Sequence, residues 1–236
     1  MSWGPSSRLA RPLIAAALLV TATAAMADIL VVRSSGPSAK SYPPGRRLAE
    51  SARLVLKAGD QLIVLDGRGT RVIRGPGAFA AGAPAAGRVA SAAPAADRRA
   101  RIGAVRGLET GELRPPSIWH VDVSRSSNVC VADPARVTLW RADPGKAATL
   151  TIAARGGGTK RIDWPPGSST LPWPSDLPVA EAAEYRLSGG NSTPSTIRFR
   201  NMGSRPAGLE DMAQTLIRNQ CDAQLDLFIE TVKLPG

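Results

Sequence analysis

The chain has 236 residues, and its 30 lysines and arginines outnumber its 19 aspartates and glutamates, which gives a formal charge of +11. It contains one histidine and two cysteines, a poor set of ligands for a structural or catalytic metal. The sequence therefore predicts neither a metal site nor a cofactor.

Residues 1–27 have the pattern of an export signal. Arg8 and Arg11 precede the apolar stretch LIAAALLVTATAA, and the small residues of AMA lie just before Asp28. We predict a signal peptide that is cleaved after Ala27. The alternative is an N-terminal membrane anchor, but that needs about 20 consecutive apolar residues, and this run is shorter. No later segment has the length and hydrophobicity of a transmembrane span, so a periplasmic or secreted location is expected.

Positive charge is concentrated in the first half of the mature chain. Residues 28–116 contain 15 Lys and Arg against 7 Asp and Glu, whereas residues 117–236 contain 13 against 12. An exported protein rarely meets nucleic acid, so the charge favours an acidic envelope polymer or an envelope protein as partner. The alternative is a generally arginine-rich proteome. The sequence does not indicate an oligomeric state.

Residues 28–82 are predicted to form a small β module. ADILVVRS is rich in β-branched residues, and RLVLKAGDQLIVLDGRGTRVIRGPG predicts three strands with turns at 58–60 and 66–69. Between these segments, SGPSAKSYPPGRRL contains three prolines and two glycines and predicts an irregular loop.

The glycine-rich stretch at 59–77 raises the question of a phosphate-binding loop. A dinucleotide fingerprint requires G-x-G-x-x-G leading into a helix, but Val72 stands where the third glycine belongs. Asp-Gly between LIVL and TRVI is typical of a tight turn between two strands. We therefore predict a β-hairpin here.

Residues 54–79, LVLKAGDQLIVLDGRGTRVIRGPGAF, resemble FecR-type periplasmic domains. In those domains an L-x-x-G-D step precedes short strands that end in a D-G turn. The resemblance implies an exported β module, and FecR proteins are signalling partners in bacterial envelopes.

Residues 83–116 are predicted to be a linker, because alanine, proline and glycine dominate and no hydrophobic period is present. Four arginines in it, Arg98, Arg99, Arg101 and Arg106, form a candidate basic contact patch. The alternative is a solvated linker that arginine keeps soluble.

Residues 117–236 are predicted to form a β-sandwich with C-terminal helices. Seven short segments with turn residues between them have the pattern of strands: SIWHVDVS, SNVCVAD, RVTLWRA, ATLTIAA, TKRIDW, AEYRLS and STIRFRN. Cys130 and Cys221 are predicted to form a disulfide, as expected in an oxidising compartment. Closing a loop of this length stabilises a fold by roughly 4 kcal/mol.

A proline-rich segment crosses the predicted sandwich. Residues 164–178 contain five prolines, which excludes a regular central strand. Leu177 and Pro178 followed by Tyr185 resemble the tyrosine corner of immunoglobulin-like and fibronectin type III domains, in which the hydroxyl binds an upstream backbone group. The alternative is a proline-rich ligand for an aromatic groove.

The last segment, from 209 to 232, predicts two amphipathic helices that break near 219–221. Glu210 and Asp211 fall in the first turn, where the helix dipole favours negative charge. We expect the apolar faces of both helices to pack on the sandwich.

No catalytic residue is predicted. His120 and Asp122 share one face of a strand, but the chain has no recognisable nucleophile motif beside them. The sequence therefore favours a non-enzymatic envelope protein that acts as an interaction or signalling-accessory module. The alternative is a divergent secreted hydrolase whose carboxylates converge only in three dimensions.

Overall fold

The computed structural model describes Met1 and residues 28–83, 113–190 and 192–233. The predicted signal peptide with its cleavage after Ala27 lies outside the described residues, and so do the linker arginines Arg98, Arg99, Arg101 and Arg106. The described chain is mainly β, with several sheets and two C-terminal helices, which confirms the predicted fold class. No described helix is long and apolar enough to cross a membrane.

The first six strands form the N-terminal module, residues 28–82. An antiparallel sheet has the order β2-β1-β4-β5, and β3 pairs with β6 in a separate ribbon. Alternate residues of β1 are buried on opposite faces, because Ile29 and Val31 pack toward the ribbon while Leu30 and Val32 pack on the other side. The strands are β1 (Asp28–Ser35), β2 (Arg47–Ala49), β3 (Arg53–Leu56), β4 (Gln61–Asp66), β5 (Gly69–Arg74) and β6 (Gly77–Ala80).

The glycine-rich stretch is a hairpin, as predicted. β4 pairs antiparallel with β5 from Gln61 and Arg74 to Asp66 and Gly69. The Asp66 carboxylate accepts a hydrogen bond of 2.9 Å from the Arg68 backbone N–H, which fixes the turn. The chain continues into a strand and not a helix, so the phosphate-loop alternative is wrong.

The predicted irregular loop at 35–48 is partly wrong. It contains a 3₁₀ turn at Ala39–Ser41, and its end belongs to β2, where Leu48 pairs with Ile29 and is buried. A strand of three residues has too short a pattern to be recognised by itself. Its place is set by pairing with β1.

Residues 117–201 form a two-sheet unit with a common core. One sheet has the order β11-β10-β13-β14-β8 and the other β12-β9-β7. Among the described residues of this unit, β14–β8 and β7–β9 pair in parallel and the other strands pair antiparallel. All seven predicted strands are present, and β12 is an additional short edge strand. The strands are β7 (His120–Asp122), β8 (Ser127–Val131), β9 (Thr138–Trp140), β10 (Ala148–Ala154), β11 (Thr159–Trp164), β12 (Thr170–Pro172), β13 (Glu184–Gly189) and β14 (Ser192–Asn201).

The proline-rich segment packs on this unit. Trp173 is buried, and its ring lies edge-on to Tyr185 and Phe199 with centroid distances of 4.9 and 5.0 Å. The Tyr185 hydroxyl donates a hydrogen bond to the Pro178 carbonyl, the upstream backbone contact that the sequence predicted. The aromatic side chains therefore form core, as the packing interpretation expects.

The C-terminal segment forms α1 (Leu209–Arg218) and α2 (Asp222–Thr231), separated at the predicted break. Gln220 there has a φ of +55°, which ends the helical path. The disulfide between Cys130 and Cys221 is present and joins the start of α2 to β8.

The helices have a second contact that the sequence did not reveal. They share one apolar cluster with Leu30, Val32 and Leu65 of the N-terminal module as well as with Cys130 of β8. The Thr70 hydroxyl on β5 also donates a hydrogen bond of 2.9 Å to the Ile229 carbonyl. The expectation that the helices pack on the sandwich is therefore incomplete, because they lie between both β units.

Candidate functional site

A groove of about 660 Å³ runs between α2 and the outer face of the five-stranded sheet. Its floor includes Asn128 and Arg198, which are paired neighbours on β8 and β14. Its wall is the first turn and a half of α2, with Asp222 and Asp226 one helical turn apart. The disulfide positions this wall, because Cys221 immediately precedes α2 and bonds to β8.

Strand alternation makes the outer face of this sheet polar. Leu150, Ile152 and Leu187 point into the core, so the residues between them point outward. We call four outward arginines the arginine face: Arg161 on β11, Arg186 on β13, Arg198 on β14, and Arg125 in the loop before β8 at the groove.

Glu184 is the carboxylate on the sheet side of the groove. Its side chain accepts hydrogen bonds from Arg198 and, at 3.3 Å, from Arg155. The hydrogen bond from Arg198 and the positive charge of both guanidinium groups outweigh partial desolvation, so the pKa of Glu184 lies below its usual value. Glu184 is therefore ionised at neutral pH.

The two carboxylates of α2 share one arginine from the N-terminal module. Arg33 on β1 contacts Asp222 and Asp226, each at 2.8 Å. Burial acts to lower the pKa of Arg33, but the hydrogen bonds to both carboxylates outweigh it, so its pKa is raised. This ion-pair cluster connects the groove to the N-terminal module.

Each of these three groove carboxylates thus has an arginine partner. General acid–base catalysis requires a group that exchanges its proton near the working pH, and Glu184, which its arginine partners hold ionised, does not donate a proton at neutral pH. The arrangement is better suited to charge recognition, since arginine presents a planar fork of donors to anionic groups.

His120 and Asp122, which the sequence places on one face of a strand, lie on β7 in the other sheet and do not line the groove. The Asp122 carboxylate accepts hydrogen bonds of 2.9 and 2.6 Å from the backbone N–H and hydroxyl of Ser124. His120 Nδ1 is buried without a hydrogen-bond partner among the described residues. Asp122 therefore holds a turn and does not orient the histidine.

No group of three or more His, Cys, Asp or Glu side chains within the described ranges is arranged to hold a metal ion. The groove residues were missed at the sequence level because they come from three places that are far apart in the chain, namely β8, the β13–β14 hairpin and α2. Their one signal is that AEYRLS and STIRFRN place arginine at the polar positions of an alternating pattern.

Comparisons with protein-family models, with curated proteins and with solved structures find no match to this chain. The resemblances to FecR-type and immunoglobulin-like domains therefore remain predictions.

Proposed function

We propose that this chain is an exported, non-enzymatic protein of the cell envelope that acts as an interaction or signalling-accessory module. The observation that carries the proposal is the pairing of Glu184, Asp222 and Asp226 with arginines in one open groove. These carboxylates balance charge on a binding surface. The signal-like sequence of residues 1–27 and the Cys130–Cys221 disulfide support a periplasmic or secreted location.

The proposal includes the domain organisation expected from the sequence. A FecR-like module over 28–82, an Ala/Pro/Arg-rich linker over 83–116 and an immunoglobulin-like unit with C-terminal helices over 117–236 would present separate surfaces to a partner. Arg98, Arg99, Arg101 and Arg106 in the linker remain a candidate basic patch.

A pull-down from the cell envelope tests this function. The mature chain is immobilised, incubated with an envelope extract and washed at low and then high salt, because salt screens exposed charges. The control bait is the same chain reduced, alkylated and unfolded, which keeps the charge but loses the fold. Specific retention by the folded bait supports an interaction module, and equal retention by both baits, or by neither, overturns it.

The second candidate is a secreted hydrolase, and it is favoured by the convergence of three carboxylates on one groove. Purified protein is incubated with envelope polymers, and soluble fragments are measured. If the wild type releases fragments, Glu184→Gln should abolish the release, and the exposed control Glu230→Gln should leave it unchanged. That result would replace the binding function with catalysis. No release by the wild type would leave binding as the better account.

A further inference from the structure

We propose that the arginine face binds an acidic glycan, an extended polymer that carries carboxylate or phosphate groups; this inference rests on the proposed binding function and names its ligand class. Arg125, Arg161 and Arg186 are exposed. Within the described ranges, none of the three side chains takes part in an ion pair or a hydrogen bond, whereas Arg198 holds Glu184. Three guanidinium groups on one surface are therefore available to a ligand.

The surface has an excess of positive charge. Arg33 on the α2 side is shared by two carboxylates, Asp222 and Asp226, so that wall is slightly negative. The sheet side more than offsets it, because six arginines there face three carboxylates. The arginines are Arg125, Arg155, Arg161, Arg186, Arg198 and Arg200, and the carboxylates are Asp163, Glu181 and Glu184.

The strand register places three of the arginines on a diagonal across the sheet. Thr151 on β10 pairs with Arg161, and Ala153, two residues on, pairs with Arg186. On the next strand, β14, Arg198 pairs with Glu184, which lies two residues from Arg186 on β13 in the same direction across the sheet. With strands about 5 Å apart and residues about 3.3 Å apart, adjacent arginine Cα atoms are separated by roughly 12 and 8 Å. Such a row matches the repeated charges of an extended polymer.

The side chains between the arginines favour a polymer over a protein. Thr151, Ser188 and Thr196 occupy outward positions between them. These side chains are small and carry hydroxyl groups that can bind sugar or acidic oxygens. A stable protein interface instead centres on aromatic or large aliphatic anchors, and the outward positions of this sheet from 149 to 200 that the structure describes carry none.

The test is binding of the full mature chain to polygalacturonate, with neutral dextran and polyglutamate as comparison polymers. We expect binding to polygalacturonate that weakens as salt rises, no binding to dextran, and weaker binding to polyglutamate. The double variant Arg161→Glu/Arg186→Glu should bind polygalacturonate about tenfold or more weakly, because it places like charges against the polymer.

The matched control is Arg53→Glu/Arg74→Glu, which makes the same change in net charge at exposed arginines of β3 and β5. It should bind within about twofold of the wild type. An equal loss in both double variants would overturn the site, since net charge alone would then explain binding. Stronger binding to polyglutamate would overturn the glycan assignment in favour of an acidic protein.

Failure of this inference is distinguishable from failure of the proposed function. If polygalacturonate is not bound but the folded chain still retains a component of the envelope, the glycan site is wrong and the interaction function stands. If the chain binds neither polygalacturonate nor a component of the envelope, both the glycan site and the interaction function are wrong. Far-UV circular dichroism of each variant confirms that the fold is intact.

Discussion

Asp60 shows how a single buried carboxylate organises the N-terminal module. Its Oδ1 accepts a hydrogen bond of 2.8 Å from the Ser38 backbone N–H, and its Oδ2 accepts one from the Lys57 N–H. Gly36 lies against it with a φ of +97°, and a Cβ built there would lie 2.6 Å from Asp60 Oδ1. One residue thus joins the loop after β1 to the turn between β3 and β4.

Acid should remove the stabilisation that the ionised Asp60 carboxylate gives to the N-terminal module. Burial alone would raise the pKa of Asp60, but the hydrogen bonds from Ser38 and Lys57 outweigh it, so its pKa lies below the ordinary value. A carboxylate with a depressed folded pKa stabilises the fold above its unfolded pKa of about 4 and loses this effect as the pH falls through the folded value. The urea concentration at the midpoint of unfolding should therefore decrease as the pH is lowered from about 7 to about 3.

The variant Asp60→Asn isolates the effect. It should be less stable than the wild type at neutral pH, and the difference should narrow in acid, because the wild-type carboxylate is then protonated. A difference that stays constant over the whole pH range would contradict the role of Asp60.

Arg71 offers a second test at this scale. Its guanidinium contacts the Asp66 carboxylate and the Ala81 carbonyl, and the Arg71 and Asp66 side chains are 5% and 10% exposed. Arg71→Ala leaves a buried charge without its partner, so we expect a loss of about 3 kcal/mol in the free energy of unfolding. Arg74→Ala, exposed on the same strand, should lose less than about 0.5 kcal/mol. Similar losses in urea denaturation of both variants would refute this role.

At the scale of the element, one side chain of α2 forms hydrogen bonds with the free backbone groups at the edge of β8. Gln224 is buried, its Oε1 accepts from the Cys130 N–H at 2.6 Å, and its Nε2 donates to the Cys130 carbonyl at 2.9 Å. Nε2 also donates to the Ile118 carbonyl at 2.8 Å. The amide therefore satisfies the outer edge of β8 much as a neighbouring strand would, and unpaired strand edges invite aggregation.

Gln224→Glu should be strongly destabilising, because a carboxylate cannot donate to the two carbonyl groups. We expect a loss of about 2–4 kcal/mol in the free energy of unfolding, with increased light scattering on heating. The reverse exchange Glu230→Gln, at an exposed position of the same helix, should change stability by less than about 0.5 kcal/mol. An unchanged melting temperature for Gln224→Glu would show that the edge is satisfied in another way.

The elements also show how far the sequence can be interpreted. Alternation and turn chemistry predicted the seven strands of the two-sheet unit, the hairpin at 66–69, both helices and their break. The short strands β2, β6 and β12 were missed, because three or four residues carry too little periodicity and their positions depend on partner strands. The groove was missed for the same reason, since its residues converge only through the register of β13 and β14 and the docking of α2.

At the scale of the whole molecule, the helical hairpin forms a core shared by both β units. Leu216 and Leu225 are fully buried beside Leu30 and Val32. The disulfide connects the same hairpin to β8. We therefore expect the N-terminal module and the two-sheet unit to unfold together.

Leu216→Ala tests this coupling. The cavity should lower the free energy of unfolding by about 2–5 kcal/mol, and both units should report the loss. Fluorescence follows the two-sheet unit, because all four tryptophans in residues 28–236 lie in residues 117–236. Amide exchange of β4 follows the N-terminal module. Val55→Ala, at a 59% exposed position, is the control; a loss that only one probe detects would mean that the units unfold separately.

The shared core also sets the order in which the chain can fold. Arg33 and Asp226, which bind each other across it, are 193 residues apart. Leu30 and Val32 therefore have no helix to cover them until the last part of the chain is in place. The first strand of the N-terminal module to be made is thus among the last to be fully buried, so the emerging chain must be kept from aggregating until α1 and α2 arrive.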